Sequence, residues 1–172
     1  KVEAELAFLD MGSVQLTLSR REKPLAEDGC DQVEFLAVTN VGEEPRPLAK
    51  IASGGEISRM MLAIKNVMAD RDNIDTLIFD EVDTGVSGKA AQKIGQKLWE
   101  VSRSRQVICV THLAQVAAFA GCHLHIAKQV AGGRTFTQVT RLEGEQRVEE
   151  LARIISGDRI TPVSLENARE ML

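Results

Sequence analysis

Three short clusters carry side chains able to do chemistry together: Ser53-Gly54-Gly55-Glu56, Asp80-Glu81 and Thr111-His112. Ser-x-x-Glu ahead of an apolar run is the pattern of a capping box, in which the Ser53 side chain accepts from the Glu56 N–H and Glu56 reaches back to the Ser53 N–H. Two glycines in a first helical turn work against that purpose, since each costs about 1 kcal/mol in helix propensity relative to alanine. Bare backbone there suits the close approach of an anion, because free N–H donors and the helix dipole both favour negative charge. Asp80-Glu81 directly follows the apolar run Thr76-Leu77-Ile78-Phe79. Such a pair is either a solvated turn or, beyond the carboxyl end of a parallel strand, a working pair, with one carboxylate holding Mg2+ through its water shell and the other polarising an attacking water. His112 ends a second apolar run in the same way, as a structural histidine or as a sensor of a terminal phosphate. His123 and His125, two apart on one strand face, have no third ligand in view for a zinc site.

Elements must position these groups. Ile57, Met60, Met61, Ile64 and Met68 fall at helical spacing behind Ser53, and Ile94, Leu98 and Val101 mark another helix. Thr76–Phe79 and Val107–Val110 read as short buried strands, so from Ser53 onward strands alternate with helices, the pattern of a largely parallel sheet covered by helices. Ahead of this, Val2, Leu6 and Leu9 suggest a short helix, and Val14–Leu18 and Val33–Val38 an antiparallel strand pair joined by a polar segment with Pro24, Asp28 and Gly29. A breaker-rich stretch from Asn40 to Pro47 follows. Behind His112, Leu113, Val116, Ala117 and Ala120 suggest a short helix, and Cys122–Ile126 and Thr135–Thr140 a hairpin about Gly132-Gly133 that closes the sheet. Val148, Leu151, Ala152 and Ile155 form one helical face ending at Gly157, and Thr161-Pro162 starts a last helix.

The whole composition is that of an ordinary globular domain: 172 residues, net charge −4, 44% hydrophobic and 27% charged. The acidic balance and 3% aromatic content speak against a basic, base-stacking nucleic-acid coat. Cys30, Cys109 and Cys122 are odd in number and widely spaced, which fits a reducing cytoplasm rather than a disulfide framework. No apolar run approaches the roughly 20 residues of a membrane span, so no membrane partner is expected. Opening at Lys1 rather than a methionine, the chain reads as a fragment. Arg103, Arg105, Arg134 and Arg141 are scattered, and no role is assigned to them.

The order of the clusters resembles the ABC-type ATPases. Ala52–Glu56 looks like their signature motif, Thr76–Glu81 like Walker B, Val82–Gly88 like the D-loop and His112 like the switch histidine, while Glu56 in place of glutamine points to the SMC-like branch. Within that branch the likeness to DNA-repair members runs from Val33 to Gly157, through the strings Asn40–Glu43, Leu48–Arg59, Phe79–Gly88 and Val110–Ala117, departing only mildly at Thr84 and Ala114. The sequence contains no G-x-x-x-x-G-K-[ST] phosphate loop. The resemblance therefore implies the C-terminal half of an α/β head: residues 1–10 ending a coiled-coil helix and 11–172 the C-terminal lobe, divided into antiparallel strands (11–47), the signature-to-switch core (48–157) and a C-terminal helix (158–172). It implies ATP and Mg2+ as cofactors. Asp80 would hold Mg2+, Glu81 would activate water and His112 would touch the terminal phosphate on the same head; Ser53, Gly54, Gly55 and Glu56 would meet the nucleotide of a second head, with Asp83 shaping the contact between them. The implied partners are a P-loop-bearing N-terminal half, a second head in a homodimer, and DNA through the full-length protein; the implied setting is nucleoid-associated in the cytoplasm, in recombinational repair of double-strand breaks. Two alternatives remain at this level: the head of another SMC-like protein, such as a nuclease-partner subunit, and a nucleotide-independent module for dimerisation or DNA bridging.

Overall fold

The computed structural model describes residues 1–39, 42–51, 53–69, 73–157 and 159–172, folded as two compact units, Lys1–Val86 with Val101–Val110 and Ser87–Glu100 with Thr111–Leu172. Asn40 and Val41, which open the breaker-rich stretch, and Ala52, the first residue of the signature-like string, lie outside the described residues.

In the first unit, helix α1 (Val2–Phe8) forms where the spacing predicts it, buries Leu6, has Leu9 buried at its C-cap, and packs against α2 (Gly54–Val67). Strands β1 (Gln15–Ala26) and β2 (Gly29–Val38) pair antiparallel from Gln15↔Val38 out to Ala26↔Gly29. The polar segment expected to be a loop is thus mostly strand. Its residues are polar because both faces of the ribbon's outer end meet solvent, which erases the alternation that marks a half-buried strand; Arg20–Asp31 and Lys23–Asp28 ion pairs, at 2.8 and 2.6 Å, line it instead. The register slips between Glu22 and Ala26, across Pro24, a place where a residue without an N–H does least harm to a ladder. A two-residue edge strand, β3 (Arg46–Pro47), joins β2 from within the breaker-rich stretch, and Leu48–Lys50 adds a 3-10 turn.

Strands β4 (Thr76–Phe79) and β5 (Gln106–Cys109) pair in parallel, with Ile78 beside Ile108. Leu77 and Phe79 are buried, whereas Ile78, Ile108 and Val110 are exposed along the opposite face. Helix α2 buries Met60, Leu62, Ala63 and Ile64, but Met61 and Met68, expected on its buried face, are exposed. The buried face runs through Gly55, Arg59, Met60, Leu62, Ala63 and Ile64, turned from the predicted stripe toward Arg59, which is held by the turn after β4.

The second unit holds most of α3 (Gly88–Ser102), then α4 (Ala114–Ala117), β6 (His123–Ala131), β7 (Arg134–Leu142), α5 (Glu145–Ser156) and α6 (Pro162–Met171). Strands β6 and β7 turn tightly at Gly132 and Gly133, both with positive φ as such a turn requires. Among the described residues this hairpin pairs only with itself, so the expectation that it closes the β4–β5 sheet is corrected: each pair is a separate sheet, and β4 and β5 keep unpaired outer edges. Ala114, Ala117, Val148, Leu151, Ala152 and Ala168 make one core from α4, α5 and α6. Arg147 donates to the carbonyls of Ala118 and Ala120, satisfying acceptors that the short α4 leaves over. Thr161 and Ser164 form a reciprocal capping box with Pro162 in the first turn of α6. Among the described residues no helix is long and apolar enough to cross a membrane.

Candidate functional site

The first turn of α2 begins at Ser53, whose extended backbone (φ −100°, ψ 116°) and side-chain oxygen, accepting from the Glu56 N–H at 3.4 Å, make it the N-cap. This is the forward half of the expected capping box. Gly55 is buried, and a Cβ built on it would lie 2.8 Å from the Thr84 carbonyl oxygen and 3.1 Å from that of Glu81. Gly55 is therefore bare for a reason internal to the chain: the turn leaving β4 packs directly on the helix start. At Gly54 the obstacle to a Cβ, at 2.5 Å, is the carboxylate oxygen of Glu81, the far end of a flexible side chain.

That turn carries the acids. Asp80 and Glu81 are exposed at the end of β4, and Glu81 sits in the left-handed region at φ +58°, a conformation of order 1–3 kcal/mol above the ordinary ones for a residue with a Cβ. Its surroundings over-determine it. The Thr84 N–H donates to the Glu81 carbonyl at 3.0 Å, closing the turn. From α2, Ser58 Oγ donates to the Asp80 carbonyl at 2.8 Å, and Arg59 Nη1 donates to the carbonyls of Val82 at 3.2 Å and Thr84 at 2.9 Å. Val82 and Asp83 are buried, Asp83 to 2% exposure.

Charge inside this assembly is balanced locally. Arg59 is only 7% exposed; burial pulls its pKa down, and the carboxylates of Glu56 and Asp83 pull it back up. Cys109, at the end of β5, has its thiol pushed up to about 12, by burial first and then by Asp83 and Asp80, so it remains a protonated thiol beside the two aspartates rather than a nucleophile.

Ser53, Gly54, Gly55, Glu56, Asp80, Glu81 and Asp83 are thus all in the first unit, on α2 and the turn it holds. His112 belongs to the second unit, exposed, in a loop whose Leu113 N–H donates to Thr111 Oγ1. His125 lies 3.8 Å from a Glu150 oxygen, and burial, then Arg147, lowers the pKa of His123. Of the scattered arginines, Arg105 donates to the Ala69 carbonyl and Arg141 pairs with Glu143. Sequence reasoning passed over Ser58 and Arg59. The available signal was an arginine four residues after Gly55, hence on the same helix face, one position before the apolar Met60.

No family model matches the chain. It is similar to the DNA repair protein RecN of Halalkalibacterium halodurans, 51% identical over 151 residues, which are 88% of this chain and 27% of that protein. It is also similar to RecN of Treponema pallidum, 43% identical over 179 aligned residues, covering all of this chain and 31% of that protein. The chain therefore spans about a third or less of the length of these relatives. Among solved structures it resembles the Smc head domain with a coiled coil and joint from Pyrococcus yayanosii (TM-score 0.64, 19% identity, 90% of this chain and 28% of that one). A second likeness is to a chain from work on ATP-driven dimerisation and DNA-stimulated activation of SMC ATPases (TM-score 0.56, 19% identity, 92% and 91% covered). These structures establish the fold alone: α/β, of the SMC head type. The sequence likeness runs through the helix start, the acidic turn and the histidine loop just described, and by it the chain belongs to the RecN family of DNA repair proteins.

Proposed function

We propose that this chain is the C-terminal half of an SMC-like ATPase head, completed by a P-loop-bearing N-terminal half of the same protein, and that the whole protein joins and parts two heads with ATP during recombinational repair of broken DNA. One observation carries the reading: the acidic turn and the Ser53-Gly54-Gly55-Glu56 helix start are one hydrogen-bonded piece, held by Ser58 and Arg59. A pair of solvated turn acids has no need of such a seat.

In this reading ATP supplies the phosphoryl group to be cleaved. Asp80, exposed at the carboxyl end of β4, suits Mg2+, which keeps most of its waters and takes one or two carboxylates besides phosphate oxygens. Glu81 orients a water and takes its proton, and its carboxylate lies against Gly54 at the helix start. His112 contacts the terminal phosphate on the same head. Ser53 and the N–H groups of Gly54 and Gly55 take hold of the terminal phosphate carried by a second head, with Glu56 in the same turn and Asp83 shaping the loop between heads. Two heads then stay joined while that phosphate is present and part when hydrolysis removes it. The exposed apolar face of Ile78, Ile108 and Val110 is the surface for the P-loop-bearing half, and it accords with a chain that is a minor part of its relatives' length.

The test is Mg2+-dependent ATP hydrolysis by the full-length protein and its Glu81→Gln variant. The variant is expected to bind ATP, to hold heads together and to lose at least 100-fold in turnover, within the range of a general base's contribution. Turnover equal to the unaltered protein removes Glu81 from that role; no hydrolysis by the unaltered protein favours a nucleotide-independent bridging module.

A further inference from the structure

Two adjacent residues of α2 hold three carbonyls of the acidic turn. Ser58 Oγ takes Asp80, and the Arg59 guanidinium takes Val82 and Thr84. Arg59 is nearly fully buried, and burying a guanidinium is unfavourable unless its surroundings answer the charge. Glu56 and Asp83 answer it, one from the helix start and the other from the turn itself. Among the described residues its Nε is buried without a hydrogen-bond partner, a further expense at a position where a leucine would pack without one. Gly55 completes the fit, since a Cβ there would stand 3.1 Å from the Arg59 Nη1 as well as against the turn backbone. A strained residue, Glu81 at φ +58°, lies between the Ser58 and Arg59 anchor points.

We infer that Arg59, assisted by Ser58, is a positioning residue for the hydrolytic reaction: it clamps the Asp80–Thr84 backbone to the signature helix, keeps Glu81 in its left-handed conformation, and makes the helix that meets one nucleotide and the turn that serves the other move as one body. The inference rests on the ATPase reading given above. It adds a residue whose hydrogen bonds go to the backbone of the acidic turn. A carbonyl clamp of this kind acts on geometry rather than on substrate binding, so its loss separates the rate of the chemical step from the affinity for ATP.

The experiment compares four forms of the full-length protein: unaltered, Arg59→Met, Arg59→Lys and Glu81→Gln. Arg59→Met is expected to lower kcat for Mg2+-dependent ATP hydrolysis at least tenfold while KM and ATP-dependent head association by sedimentation change less than threefold; Arg59→Lys, which restores the charge and a donor, is expected to recover part of that loss. Hydrogen exchange gives a readout independent of activity. In Arg59→Met the amides of Val82–Val86 should exchange faster, with those of Leu77–Phe79 unchanged. If Arg59→Met keeps kcat within twofold, or its turn amides stay as protected as before, the inference fails, while a dead Glu81→Gln leaves the ATPase reading standing. Should Arg59→Met not fold, Arg59→Lys and Ser58→Ala decide: a severalfold fall in kcat at constant KM supports the clamp, and full activity in both overturns it. Equal turnover in Glu81→Gln and the unaltered protein removes the ATPase reading and this inference with it.

Discussion

Gly54 and Gly55 look alike in the sequence and are not alike in the fold. A methyl at Gly55 meets the carbonyl oxygens of Thr84 and Glu81, which belong to a turn already anchored by Ser58 and Arg59 and cannot yield cheaply. Among the described residues, a methyl at Gly54 meets only the Glu81 carboxylate, which can swing aside. Gly55→Ala is therefore expected to destabilise by about 1–3 kcal/mol, the usual cost of overpacking, measured as a lowered melting temperature. Gly54→Ala should melt within a degree or two of the unaltered protein and lose turnover, because the side chain it displaces is the proposed base. Equal melting of the two variants would contradict the packing described. The chemical residue types were legible from the sequence, since a helix start, a strand end and two acids are local patterns. Arg59 was not, because its partners are carbonyls 23 and 25 residues away, and carbonyls have no sequence signature.

At the scale of elements, the second unit is expected to lose stability in acid. Burial lowers the pKa of His123, with Arg147 adding to the effect, so the fold prefers the neutral ring: its contribution is present above the unfolded value of about 6.5 and is lost as pH falls. Glu150 is lowered chiefly by its hydrogen bonds from Arg153, so its contribution is present above the unfolded value of about 4.3 and is lost as pH falls through the folded value. Both signs agree. Melting temperature at pH 7 should fall on acidification in two stages, first below about pH 6.5 and again below about pH 4, with α5 amides losing exchange protection at each. His123→Gln should remove the first stage and spare the second. The hairpin, α5 and α6 were all legible from local signals, the Gly132-Gly133 turn and the Thr161-Pro162 start among them. The outer halves of β1 and β2 were not, because a ribbon wet on both faces has no apolar period to read.

For the whole molecule, the exposed face of β4 and β5 is the feature that asks for more protein. Ile78 is 70% exposed beside Ile108, on strands whose outer edges are unpaired among the described residues. Proteins cover such edges and faces. Ile78→Lys, two residues ahead of Asp80, is expected to cut recovery of the chain with the proposed P-loop-bearing half, co-expressed, at least tenfold in a pull-down, with the Leu77 and Phe79 side of the strand unaffected. Undiminished recovery would assign that face to something else. Ser53→Arg tests the proposed junction between heads: it should spare ATP binding and abolish ATP-dependent association of full-length heads in sedimentation, since a large cation at the N-cap removes the serine acceptor and fills the helix start.

By itself the sequence determined what depends on neighbours in the chain: the α/β class, strand β4 to the residue, the caps at Ser53 and Thr161, the acids at the strand end and the family likeness. Only the tertiary structure decided which way α2 turns its faces, why Gly55 must be bare, and that an arginine seats the acidic turn. It also decided that the C-terminal hairpin is a sheet of its own. The physical reason is the same in each case. Periodicity and capping act over a few residues and leave a local trace, whereas close approach of two backbones and burial of a guanidinium among distant carbonyls depend on which segments meet, and the chain order does not record that.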